Sequence, residues 1–100
     1  MNPAEFANIA KSEQHFWWYR GMQRILFRLL DPVTQTRRFG NVLEAGCGTG
    51  YLSKVLAERY GWRMFPVDLG REGLDWARRL GVERPVQCDI GALPFRDRAF

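Results

Sequence analysis

Histidine and cysteine are nearly missing from this chain, with one of the former and two of the latter in 100 residues. So few cysteines exclude a disulfide-stapled scaffold, and no His or Cys cluster has metal-ligand spacing. No apolar run approaches the roughly 18–20 residues that a membrane span needs. The opening Asn2-Pro3-Ala4-Glu5 lacks the basic and apolar stretches of a secretory signal, so a cytoplasmic location is expected. Internal repeats and low-complexity segments are also missing. Charge is only mildly one-sided, with 15 Lys and Arg against 11 Asp and Glu and a formal net charge of +4. The arginines are dispersed: Arg20, Arg24 and Arg28 lie at helical spacing, and Arg37-Arg38, Arg59, Arg78-Arg79 and Arg96 lie elsewhere. That distribution suits helix exteriors and argues against a nucleic-acid surface. The 46% apolar and 26% charged content is that of a globular protein, and the length allows one domain at most.

What the chain does contain is an ordered alternation of strand and helix signals. Asn2 reads as an N-cap, with Pro3 at the first helical position and Glu5 where a capping-box acid sits. A second helical pattern runs from about Phe16 to Leu30. Met22, Ile25, Leu26, Leu29 and Leu30 share one face, and Gln23, Arg24 and Arg28 share the other. Pro32 is expected to stop this helix at Asp31. A polar connector, Thr34 to Gly40, leads to a strand over Val42–Ala45. A helix from Tyr51 to Tyr60 with Gly61 as its cap follows, then a strand over Arg63–Val67 ending at Asp68. Next come a helix over Glu72–Leu80 capped by Gly81 and a short strand over Pro85–Cys88. This β-α-β-α-β order predicts an α/β fold: a Rossmann-like, doubly wound parallel sheet preceded by N-terminal helices.

The segment Glu44-Ala45-Gly46-Cys47-Gly48-Thr49-Gly50 concentrates the chemistry. It places a carboxylate at a strand end, three glycines in a tight turn, and a helix start behind them. Open α/β sheets receive nucleotide-like ligands in this way. Glu44, Asp68 and Asp89 all fall at predicted C-terminal strand ends, the edge where such sheets bind. Asp68 follows Glu44 by 24 positions, near the spacing at which an acid meets ribose hydroxyls. A vicinal diol offers two donors that one carboxylate can accept. Glu44 would repel a pyrophosphate but attract an amine and a sulfonium. The dinucleotide fingerprint also fails, since its third glycine would be Tyr51. S-adenosylmethionine therefore fits better than NAD.

These residues resemble a known family. Glu44 to Gly50 looks like the first motif of class I S-adenosylmethionine-dependent methyltransferases, and Val67-Asp68-Leu69 like their second-strand motif. Asp89-Ile90-Gly91-Ala92-Leu93-Pro94-Phe95 looks like the segment after their third strand. The resemblance spans about Asn41 to Phe100. It implies a helical cap over residues 1–40 and the N-terminal part of a methyltransferase domain over 41–100. It further implies that Glu44 and the turn of Gly46, Cys47, Gly48 and Gly50 hold the methionine part of the cofactor. Asp68 would take the ribose and Leu69 lie against the adenine, while Asp89 would accept from the adenine amino group with Ile90 on the ring. As a residue in its own right, Asp89 also reads as a turn-forming acid before Gly91.

His15-Phe16-Trp17-Trp18-Tyr19-Arg20-Gly21 is similar to the N-terminal element of one methyltransferase subset, in which an aromatic helix covers the cofactor. There Arg20 would pair with the cofactor's carboxylate. Adjacent tryptophans cannot face the same way on a helix. His15 reads as an exposed or capping residue rather than a base, and no catalytic residue is assigned. In the family's strand order 3-2-1, Cys47 and Cys88 stand two strand spacings apart, roughly 9–10 Å. Both are therefore expected to be free thiols. The family's remaining strands do not follow Phe100, so the sheet is expected to be truncated after its third strand. The face opposite the helices and the edge of the first strand would be bare, to be covered by the rest of the domain or by another chain. The expected activity is methyl transfer to an unidentified acceptor, with a non-catalytic association module and an NAD-dependent oxidoreductase as alternatives.

Overall fold

A computed structural model of the chain describes residues 2–13 and 15–100. In chain order the elements are α1 (Pro3–Ser12), α2 (Trp17–Thr36), β1 (Asn41–Ala45), α3 (Tyr51–Tyr60), β2 (Arg63–Asp68), α4 (Arg71–Arg79) and β3 (Val86–Gln87). The three strands form one parallel sheet in the order β1-β2-β3. Asn41 pairs with Arg63 and Ala45 with Val67, and on the other side Asp68 pairs with Gln87. This is the partial Rossmann-like α/β fold with N-terminal helices that the strand and helix signals predict.

The helix ends follow from named residues. At α1 the Asn2 side chain accepts from the Ala4 amide at 2.9 Å, and the Glu5 carboxylate accepts from the Asn2 amide at 3.2 Å. These bonds satisfy donors that have no partner inside the helix. Helix α3 begins after Gly50 and stops at Gly61, both in the left-handed region at φ +80° and +69°. The third strand is shorter than expected: only Val86 and Gln87 pair, and Cys88 instead donates its amide to the Asp68 carbonyl at 3.0 Å.

Helix α2 corrects one expectation. It does not stop at Asp31 but continues through Pro32 to Thr36. A proline inside a helix removes one amide donor, here the partner of the Arg28 carbonyl. Arg28 and Pro32 are both exposed, so water can serve that carbonyl. The turn is anchored from the side by Asp31, whose carboxylate receives Arg59 Nε at 3.0 Å, Arg59 Nη2 at 2.7 Å and the Tyr60 hydroxyl at 2.6 Å. The Arg59 guanidinium, bonded bidentately, holds the Asp31 carboxyl down at about 2. It also lies 4.1 Å from the centroid of the Phe27 ring.

The apolar face of α2 is only partly covered. Leu26 and Leu30 are half-buried, but Met22, Ile25 and Leu29 are exposed, Ile25 at 64% and Leu29 at 66%. Among the described residues, no element covers that stripe. The buried core lies instead between the sheet and helices α1, α3 and α4, around Phe6, Leu56, Met64, Leu74 and Ala77.

The expectation of a bare far face is also corrected in part. Met64 stands beside Ser53 and Ala57 of α3, so Phe65, its neighbour in the strand, points to the opposite face. There Phe95 and Phe100 pack edge-on against Phe65, with ring centroids 6.3 and 5.3 Å away, and against each other at 5.0 Å. The C-terminal segment thus folds back over part of that face. Among the described residues, no helix is long and apolar enough to cross a membrane.

Candidate functional site

The turn after β1 is tied to β2 before any ligand is considered. The amides of Gly46 and Cys47 both donate to the Val67 carbonyl at 2.9 Å. The Asp68 carboxylate completes the junction: Oδ2 accepts from the Gly48 amide at 2.8 Å, and Oδ1 accepts from the Gly70 amide at 2.9 Å. One side chain thereby fixes both the glycine turn and the entry to α4.

Helix α4 then sits directly on the turn. A Cβ built on Gly73 would lie 2.2 Å from the Gly48 carbonyl oxygen, and one on Gly50 would lie 2.5 Å from the Ala77 Cβ. Glycine is required at both places by proximity alone. At Gly46 and Gly48 the situation differs. Their φ angles are +76° and +56°, and a Cβ on either would meet nothing within 4 Å. That side of the turn is open space.

Two clefts border this turn. One, of about 350 Å³, is lined by Phe6, Gly46, Gly48, Asp68, Leu69 and Gly70. The other, of about 580 Å³, runs between α2 and the start of α3, past Glu13, Tyr19, Met22 and Cys47. Of the residues expected to hold a cofactor, Gly46, Gly48, Asp68 and Leu69 are brought together in the first cleft, and Gly46 and Cys47 in the second. Glu44, Gly50, Asp89, Ile90 and Arg20 line neither.

Glu44 lies behind the turn, where its Oε1 accepts from the buried Ser53 hydroxyl at 2.5 Å. Ser53 belongs to the first turn of α3, whose free amides and dipole favour a carboxylate. Burial nevertheless dominates and pushes the Glu44 carboxyl up to about 7. The Ser53 hydroxyl and amide oppose that rise, and the nearby Glu13 and Asp68 charges add to it. Asp89 is exposed, and its Oδ1 accepts from the Gly91 amide at 2.8 Å, the turn-forming bond its position suggests. Leu69 and Ile90 are exposed apolar side chains flanking this end of the sheet. Arg20, like His15, is exposed, and Trp17, at 72%, is the most exposed of the aromatic run. Trp18 meets Tyr19 edge-on at 5.1 Å.

Two residues at the site carry no sequence signal. Phe6 of α1 is buried against Gly70 and Gly73. Glu13, just beyond α1, accepts a hydrogen bond from the Thr49 hydroxyl, and burial raises its pKa. Three carboxylates, Glu13, Glu44 and Asp68, thus surround one glycine turn. Cys47 shares that environment: burial, with Glu44 and Asp68 adding to it, pushes its thiol up to about 12. Both cysteines are free thiols.

The comparison with known proteins agrees with this geometry. A family model described as a methyltransferase domain matches residues 43–100. A curated relative, the malonyl-[acyl-carrier protein] O-methyltransferase of Enterobacter lignolyticus, is 32% identical over 95 residues. That alignment takes in 94% of this chain and 38% of the relative. The chain therefore spans well under half the length of that protein. With the glycine turn, the acidic strand ends and the parallel sheet in the matching order, the chain belongs to the class I S-adenosylmethionine-dependent methyltransferase family.

Proposed function

We propose that this chain forms the methyl-donor half of a class I methyltransferase. It would bind S-adenosylmethionine at the glycine turn, and the whole enzyme would pass the methyl group to a nucleophilic acceptor by in-line displacement. The observation that carries the reading is the cleft in which Asp68 braces the Gly48 amide beside two glycines that open onto free space.

The residues fit the donor on two counts. Gly46 and Gly48 leave a cradle that side chains would fill. The surroundings are acidic, from Glu13, Glu44 and Asp68, which suits a ligand with an ammonium and a sulfonium and disfavours a pyrophosphate. A buried carboxyl raised to about 7 also gains most from the arrival of a cation.

The proposed roles follow. The backbone of Gly46, Cys47, Gly48 and Gly50, with Glu44 behind it, holds the methionine end. Asp68 has one backbone donor on each oxygen, and each oxygen keeps a further lone pair for a ribose hydroxyl. Leu69 and Ile90 offer apolar contact to the adenine, with Asp89 as its polar partner. When bound, the donor supplies a methyl group on a positively charged sulfur that leaves as a neutral thioether. The chain's own contribution is orientation, which alone lowers such barriers by several kcal/mol.

Calorimetry of the intact protein with S-adenosylhomocysteine and with NADH tests this reading. Binding of the first alone is expected. Binding of NADH alone would support the oxidoreductase alternative, and binding of neither would support an association module.

A further inference from the structure

The N-terminal segment meets the glycine turn at two places. One contact is polar: Glu13 accepts the Thr49 hydroxyl proton across 36 positions of sequence. Thr49 is only 3% exposed, and Glu13 is the acceptor its hydroxyl finds among the described residues. The other contact is apolar. Phe6, 4% exposed, fills the space that two glycines leave at the start of α4. A Cβ on Gly73 would come 3.0 Å from the Phe6 ring, and one on Gly70 would come 3.6 Å from it. The same ring forms a wall of the cleft that holds Gly46, Gly48 and Asp68.

We propose that Glu13 is a positioning residue. By holding Thr49 it latches α1 and its connector onto the glycine turn, so that docking of the N-terminal segment and donor binding are linked. The linkage rests on the donor reading given above; the latch itself does not. A turn with glycines at three alternate positions is conformationally permissive and needs an anchor from outside itself. Thr49 is the turn's one hydroxyl, and a buried hydroxyl without a partner is costly. An ordered turn binds its ligand at a lower ordering cost. Reciprocity then requires that bound donor hold α1 more firmly in place.

Two readouts on the intact protein test this: hydrogen exchange of the α1 amides, and calorimetric affinity for S-adenosylhomocysteine. Glu13→Ala and Thr49→Val are each expected to speed α1 exchange and weaken the affinity about five- to tenfold, the scale of one lost buried hydrogen bond. The double variant is expected to be no worse than the worse single one, because both remove the same contact. Glu13→Gln and Thr49→Ser keep an acceptor oxygen and a hydroxyl, and are expected to restore most of both readouts. S-adenosylhomocysteine is expected to slow α1 exchange in the wild type and not in the double variant. Additive losses, or α1 exchange unmoved by either single variant, would overturn the latch even with donor affinity intact. A wild type that ignores S-adenosylhomocysteine while Thr49→Val frees α1 would overturn the donor reading and support the latch.

Discussion

Asp68 Oδ2 lies 2.8 Å from the amide nitrogen of Gly48, a residue 20 positions earlier in the chain. The acid that the sequence marks as a ribose ligand is therefore also the brace of the turn that would hold the rest of the donor. Its second oxygen does the same for Gly70 at the head of α4. The proposed donor role and the architecture share one carboxylate.

The double duty has a measurable consequence. Asp68→Ala is expected to weaken S-adenosylhomocysteine binding at least tenfold, about 1.4 kcal/mol. It should also lower folding stability by about 1–3 kcal/mol, since two backbone amides lose their acceptor. Calorimetry and urea denaturation read the two effects separately. Unchanged affinity with lowered stability would confine Asp68 to its structural role.

The seat of α4 on the turn leaves no room at Gly73. Gly73→Ala is expected to destabilise the fold by about 2 kcal/mol or more, because its Cβ would meet the Gly48 carbonyl oxygen at 2.2 Å. Gly21, inside α2, has nothing within 4 Å of the same position. There the alanine substitution is expected to stabilise by about 0.5–1 kcal/mol through helix propensity. Denaturation midpoints of the two variants should therefore move in opposite directions.

Glu44 sets a pH dependence. Its ordinary value of 4.5 rises to about 7 in the fold, chiefly through burial. Between those values the folded state keeps a proton that the unfolded state has released. The associated stability is present at the acidic end of this window and is lost as pH rises toward 7. The slope is at most about 1.4 kcal/mol per pH unit. Asp31, held down at about 2 by Arg59, acts below this window and in the opposite sense. Glu44→Gln should flatten the slope in urea denaturation at about pH 5, 6 and 7. Donor affinity should rise over the same range, with proton release on binding, because a cation favours the ionised carboxylate.

The two thiols should behave differently. The Cys47 thiol is buried and pushed up to about 12, while Cys88 is half-buried. Alkylation of the folded protein by iodoacetamide near pH 8 is expected to label Cys88 first and to reach Cys47 only on unfolding, because the thiolate is the reactive form. Mass spectrometry after digestion distinguishes the sites. Rapid labelling of Cys47 would place it in a less buried setting than the fold shows.

The local elements were legible because their signals are local. Asn2 and Glu5 cap α1, Gly61 ends α3, and the alternation of apolar runs with glycines lays out β1, α3, β2 and α4 within a residue or so of their observed bounds. Pro32 misled for the opposite reason. Its local cost is real, but the bonds from Arg59 and Tyr60 to Asp31 come from another helix and hold the turn in which it sits. The periodicity of α2 identified an apolar face correctly and said nothing about whether anything packs on it.

By itself the sequence determined the type of site: a strand end, a glycine turn, a helix start, and acids at successive strand ends, all set by spacing and residue chemistry within short windows. Only the tertiary structure decided how those acids divide the work. Asp68 faces the cleft and braces the turn, Glu44 lies behind it on Ser53, and Asp89 closes its own turn. Phe6 and Glu13 entered the site only through the docking of α1, whose contacts join segments 36 positions apart at Thr49 and 64 apart at Gly70. No local pattern encodes such a contact, because it depends on where two independently formed surfaces meet.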